Sequence, residues 1–316
     1  MNLDWMRFRL VLQDEIVRMW WIFLLGVMLA AFIKSFKWDK KLRGLIRRYG
    51  KASIFLAVGT GLVSPLCSCG IMPVVVSLIF GGVPLAPVFA LLITSPLMSP
   101  DAFVITAGAL GMDFAAGKII SAALVGLAGG FAVLFMQGRG WIGGEGLLGG
   151  GRPEIREKCL DGAPPDDPRR GLEVEVNRWW YFGLMVKDMG WLIGRYLLLA
   201  IVIEAALVAF VPVEWVRHLV GGRGPLSVLL ATLAGVPIPL PQVAAVPVLK
   251  GLLAQGMDAG AAMAFLISGP VTSIPALVLL FSVFQRSVLW LYIGLSLAGA
   301  FLFGILFQAM GDGGVF

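Results

Sequence analysis

The sequence predicts an all-α polytopic membrane protein made of two homologous helical repeats with broken transmembrane helices, about eight spans in all. Three observations predict it. Of 316 residues, 59% are hydrophobic and 14% charged, where a soluble domain carries about a quarter charged. The apolar segments are long and lack the alternation of barrel strands, so their backbone groups must be satisfied within helices. Proline and glycine also recur at one fixed spacing in the two halves.

The net charge of +6 sits mainly between apolar segments, the pattern of cytoplasmic loops rather than of a nucleic-acid surface. Three cysteines and one histidine give neither a disulfide framework nor a histidine-rich metal relay. No cofactor or metal is expected, and no removable leader is read at the N-terminus. The expected partners are a small solute or ion and membrane lipid, without nucleic acid; self-association is compatible with the sequence.

The elements follow in order. Residues 1–16 form an interfacial lead-in. Residues 17–33 form a first spanning helix with Trp20 and Trp21 at one interface. Residues 34–51 carry eight Lys or Arg and one acid, which places them in the cytoplasm. Two apolar stretches follow, 52–82 broken by SPLCSCG and 83–112 broken by TSPLMSP. Residues 115–136 read as a plain helix with a packing stripe of Gly126, Gly129 and Gly130. These complete an N-terminal repeat over 1–136. Residues 137–188 read as a polar, partly disordered linker. The C-terminal repeat, 189–316, holds apolar residues 190–211, 226–256 broken by VPIPLPQ, 257–285 broken by SGPVTSIP, and a plain helix over 287–309.

A shift of 174 positions tests the recurrence. Gly61, Pro65, Pro73, Gly82 and Pro96 then fall on Gly235, Pro239, Pro247, Gly256 and Pro270. The closing helices match at a shift of 170, Leu127-Ala128-Gly129-Gly130-Phe131 on Leu297-Ala298-Gly299-Ala300-Phe301. Proline removes a donor and crowds the preceding turn, so four paired breaks leave carbonyls and helix ends exposed inside an apolar shell. Such paired breaks point to a solute site between two repeats. If every broken segment crosses once, the repeats are parallel, and Arg217, Arg223, Lys118 and Arg286 share the basic face with residues 34–51. If the first broken segment is a re-entrant hairpin, the repeats are inverted. Charge bias favours the parallel arrangement; the length of the segments favours the inverted one.

Cys67-Ser68-Cys69 is the most specific local feature. Extended backbone, expected between Pro65 and Pro73, would put both thiols on one side, where they could hold a soft centre such as Cu(I), Zn(II) or trivalent arsenic. Cysteine as a small packing residue is the plainer reading. The second half carries Pro241, Gln242 and Val243 opposite these three, an amide where the first half has thiols. Thr94, Ser95, Ser99, Ser268, Thr272 and Ser273 crowd the other breaks, either lining a path or satisfying freed carbonyls. Ser99-Pro100-Asp101 also reads as a helix start. Glu204, deep in LLLAIVIEAALVAF, is the leading candidate for coupling to an ion, with Asp101 second and Lys250 beside it. Cys159 and His218 receive no role. No nucleotide cradle or hydrolase signature occurs, so the chain is not expected to be an enzyme; a membrane thiol–disulfide oxidoreductase using Cys67 and Cys69 is the alternative outside transport. Another is a permease holding a hydrophilic ion at half-helix ends and hydroxyls.

The run GLVSPLCSCGIMPVVVSLIFGGVPLAPVFALLITSPLMSPDAF resembles the signature of predicted permeases of the ArsP type, and GVPIPLPQVAAVPVLKGLLAQG with SGPVTSIPAL resembles their second half. The resemblance covers 17–136 and 190–309. It implies a multi-pass inner-membrane permease, in some members one that exports trivalent organoarsenicals such as methylarsenite, with the family's cysteine motif on Cys67 and Cys69.

Overall fold

The computed structural model describes residues 23–32, 48–80, 82–140, 224–236, 242–254, 256–284 and 286–312, with scattered positions between 13 and 46 and between 183 and 202. Glu204, Cys159, His218, nearly all of the lead-in and most of the expected linker lie outside the described residues. The described residues are helical, without a strand. They form α1 (Phe23–Phe32), α2 (Ser53–Val63), α3 (Ser68–Phe80), α4 (Leu85–Leu97), α5 (Pro100–Leu110), α6 (Met112–Gly138), α7 (Pro225–Ala234), α8 (Gln242–Ala254), α9 (Ala259–Thr272), α10 (Ile274–Val283) and α11 (Arg286–Asp312). Among the described residues, three stretches are long and apolar enough to cross a membrane: α4 with α5 over Leu85–Leu110, α6, and α11 over Arg286–Met310.

Local chemistry sets the boundaries. Pro65 forces the residue before it out of the helical region, and Ser64 is extended at φ −70, ψ 125. Gly82 and Gly256 adopt φ of 76 and 97, the left-handed cap that ends α3 and α8. Each cap is closed alike, Val83 N donating to Leu78 O and Met257 N to Leu252 O, both at 3.1 Å. Pro100, Pro225 and Pro275 lie in the first turns of their helices, where no donor is lost. Asp258 caps α9 by accepting from Gly260 N at 2.8 Å. It also accepts from Gln308 Nε2 at 2.8 Å, tying α9 to α11.

The helix starts Ser68, Leu85, Pro100 and Met112 lie 174 positions before Gln242, Ala259, Ile274 and Arg286. α6 and α11 keep that spacing at both ends, each 27 residues long. The 170-residue match is therefore a likeness of small-residue stripes, not a displacement of the helix.

Directions follow from contacts. Near the end of α2, a Cβ on Gly61 would lie 2.9 Å from Thr94 Cβ of α4. Near the start of α2, Ile54 closes on Gly130 of α6, where Ala86 and Ala90 of α4 also close. α2 and α4 thus run the same way. α3 runs against them: its start is held near Ser95 at the end of α4, and its end turns directly into the start of α4. Residues 53–80 therefore form a helical hairpin. Of the two readings of 52–82, a single crossing and a re-entrant hairpin, these contacts fit the hairpin; hydropathy alone does not carry direction. In the second half Gly235 meets Ser268 and Gly269, and Val228, Ala264 and Gly260 close on Gly304, the same arrangement 174 residues on.

α6 and α11 pack antiparallel. Phe114 stacks on Phe307 at 4.8 Å, Val125 fills the space beside Gly299, and Leu295 fills that beside Gly129. Val125 and Gly299 are themselves 174 apart, so the two long helices cross at equivalent points. Antiparallel seating of equivalent helices is the geometry expected of inverted rather than parallel halves. Inward, α6 presents Ala122, Val125, Gly126, Gly129, Gly130 and Val133; outward it exposes Ile120, Leu124, Phe131 and Phe135. An exposed apolar ridge opposite a buried small-residue stripe is the surface expected of a helix facing lipid.

Candidate functional site

The hairpin tip, Ser64–Cys67, is the first break. Pro65 supplies no donor, and the chain stays non-helical until Ser68. Ile71 N donates to Cys67 O at 3.0 Å, which makes Cys67 the cap of α3. Ser68, Cys69 and Gly70 already belong to its first turn. The expectation of an extended Cys67–Cys69 stretch is corrected: only Cys67 lies in the unwound part. The physical reason is that a proline's constraint acts on the residue before it and releases the chain after it. Cys67 is half-buried. Pro73, inside α3, cannot donate to Cys69 O, so that carbonyl is freed beside the tip.

The second break is Met98–Ser99, extended between α4 and α5 at φ −143 and −132. Pro96, inside α4, likewise leaves Leu92 O without its helical donor. The two breaks are joined directly: the buried Ser95 hydroxyl donates to Leu66 O at 2.8 Å. Thr94 turns inward and donates to Ala90 O at 2.7 Å. Ser99 caps α5 from an extended conformation, with Pro100 at the helix start and Asp101, exposed, in the first turn. The Ser99 side chain makes no capping bond and is almost fully buried.

Cutting the bond between the breaks is a direct test. Ser95→Ala leaves a buried carbonyl without its donor, a cost of about 1–3 kcal/mol. The tip is expected to loosen, and Cys67 to react with a maleimide several-fold faster than in the parent. An unchanged labelling rate would mean that the Ser95 bond does not hold the tip.

In the second half, Pro247 and Pro270 lie inside α8 and α9, in step with Pro73 and Pro96. Ser268 and Thr272 are fully buried; Thr272 Oγ1 donates to Ser268 O at 2.7 Å, and Ser268 Oγ to Phe265 O at 3.5 Å. Ser273 caps α10 without a side-chain bond. Gln242 begins α8. Tyr292 of α11 is fully buried and donates to Val271 O at 3.1 Å, at the end of α9. Phe89 of α4 meets the Tyr292 ring edge-on at 6.1 Å, so the two halves interlock beside the breaks. Lys250 is exposed on α8.

One residue was not legible as part of this centre. Lys118, placed with the basic face by loop charge, is 0% exposed and lies inside α6. Thr94 lies against Gly126. Lys118, about two turns back along the antiparallel α6, is therefore level with the first turn of α5. Asp101 is near enough for its charge to act on it. The available signal was a lysine well inside a 27-residue apolar helix, a position that marks function by default.

The profile of a family described as a predicted permease matches residues 5–309. Three curated relatives share the name UPF0718. The chain is 22% identical to the UPF0718 protein YcgR of Bacillus subtilis over 85% of this chain and 86% of that one. It is 25% identical to the UPF0718 protein YraQ of Escherichia coli, over 86% of this chain and 72% of the relative. A UPF0718 protein of Methanocaldococcus jannaschii is 30% identical over 31% of this chain, a match spanning 27% of that relative's length. No solved structure matches the chain.

Proposed function

Because the chain belongs to the ArsP-type family of predicted permeases, we propose that it is a multi-pass inner-membrane secondary permease that exports a soft, thiophilic solute such as a trivalent organoarsenical or a soft metal ion. The observation that carries the reading is the position of Cys67. It is half-buried at the tip of a helical hairpin, and the tip is bonded to Ser95 in the last turn of α4, just before the break to α5. A thiol there meets a solute at the point where freed carbonyls and helix ends also gather, and soft ligands select soft centres.

The architecture supporting it is a pair of inverted repeats, each with three crossings and one hairpin. The equal helix spacing and the antiparallel α6 and α11 support this arrangement. Rocking of one repeat against the other would expose the tips to alternate sides. Cys69, Gln242 and the hydroxyls of Thr94, Ser95, Ser99, Ser268, Thr272 and Ser273 line or brace the path. The buried threonine hydroxyls bond back onto carbonyls one turn earlier in their own helices, so their part is bracing before contact with solute.

Uptake into everted vesicles tests this. Methylarsenite, arsenite, Cu(I) and Zn(II) are offered with and without a proton gradient. Accumulation of at least one soft species, several-fold above vesicles lacking the protein, is expected. Accumulation of none of them would remove the soft-solute assignment.

A further inference from the structure

Among the described residues, Lys118 is the only Lys, Arg, Asp or Glu that is fully buried. Its Nζ has no hydrogen-bond partner. An ammonium held in apolar surroundings without a partner is costly, and in practice such a group pairs or gives up its proton. The opposite half shows that the position does not demand a charge. The residue 174 positions on is Tyr292, equally buried, neutral, and satisfied by Val271 O. A pseudo-equivalent pair thus carries one settled group and one unsettled ionisable group, each beside a break.

The charges around Lys118 are few. Of the helices packed closely on α6, α2, α4 and α9 contain no ionisable side chain, and Asp258, which caps α9, accepts from Gly260 N and Gln308 Nε2. α11 contributes Asp312 at the end that seats beside the start of α6, while Arg286, which is exposed, and the bonded Tyr292 lie toward its other end. On α6 itself Asp113 is exposed. α5 contributes Asp101, which is exposed and in electrostatic reach. Thr106 of α5 is also buried without a partner.

We propose that Lys118 is the proton carrier of the transport cycle. Its amine takes a proton from water while the α4–α5 break is open beside Asp101. It returns that proton to water on the other side, so that solute moving one way is exchanged for a proton moving the other. The coupling rests on the permease reading; the gain and loss of the proton does not, and the two are measured separately.

The first measurement needs no solute. Purified full-length protein in detergent is taken from about pH 9 to about pH 6, and protons bound per chain are counted. Ordinary lysines stay charged across that range. The parent protein is expected to bind one proton more per chain than Lys118→Met. Lys118→Tyr, which installs the side chain that the opposite half already buries, is the second variant, and both are compared only as monodisperse protein. Equal uptake by parent and variants overturns the proposal.

The second measurement uses liposomes holding the protein, with methylarsenite as probe. A pH gradient is expected to drive roughly 10-fold accumulation by the parent, while the variants only equilibrate the probe. Variants that accumulate it as the parent does overturn the proposal. A parent that shows the one-proton difference but moves no methylarsenite supports Lys118 as the group that gains and loses the proton, and overturns methylarsenite as the solute instead.

Discussion

Replacing Cys67 and Cys69 together by serine is expected to lower methylarsenite transport about 100-fold or more, with the amount of folded protein unchanged. Serine keeps the size of cysteine and can cap a helix as well or better, so the start of α3 should survive. What is lost is softness: a hydroxyl is a poor ligand for a trivalent arsenical, whereas a thiolate is a strong one. The single variants separate the two sulfurs. Cys67 lies in the unwound tip and Cys69 in the first turn of α3. Cys67→Ser is therefore expected to cost more than Cys69→Ser. The measurement is initial uptake in everted vesicles, normalised to protein that elutes as a single species. Undiminished uptake by the double variant would falsify the thiol site while leaving the fold and the family as they are.

Gly130→Val and Gly304→Val are both expected to be strongly damaging to stability. A Cβ on Gly130 would stand 2.5 Å from Ile54 Cγ2 and 3.2 Å from Ala90 Cβ. One on Gly304 would stand 2.5 Å from Val228 Cγ1, 2.8 Å from Ala264 Cβ and 3.0 Å from the carbonyl oxygen of Gly260. Overpacking of this kind costs about 1–3 kcal/mol, more where backbone must move. Gly304→Val should be the worse, because it meets a backbone oxygen at close range. Gly251→Val, where a Cβ would meet nothing within 4 Å, is the control and should be mild. Thermal unfolding followed by size-exclusion of the detergent-solubilised protein reads all three. Melting temperatures for Gly130→Val and Gly304→Val equal to that of Gly251→Val would show that α6 and α11 do not pack as described.

Much of this fold was legible in the sequence because prolines and glycines act locally. Pro65, Gly82 and Pro100 each dictate the backbone within a residue or two of themselves, so the breaks and several helix starts could be placed without knowing what packs on what. The helix over 115–136 was found to within a few residues, since α6 is Met112–Gly138. Direction was not legible. A hairpin and a crossing have the same hydropathy, and only contacts such as Leu66 with Ser95 distinguish them. Lys118 was counted with the basic loops, as a surface charge. Its side chain is buried by α6 packing, which no local rule reveals. The backbone of the cysteine pair was not legible either: one residue of unwinding separates Cys67 from a helix that claims Cys69.

The antiparallel seating of α6 on α11 has an electrical consequence. Peptide dipoles in a long helix add to about half a unit charge at each end. Two helices of 27 residues laid head to tail bring opposite ends together at each face, and their far fields largely cancel. The strongest helical fields in the interior then come from the short helices that stop partway, at Ser68 and Pro100. Those stubs, not the long pillars, set the potential felt by anything charged that enters.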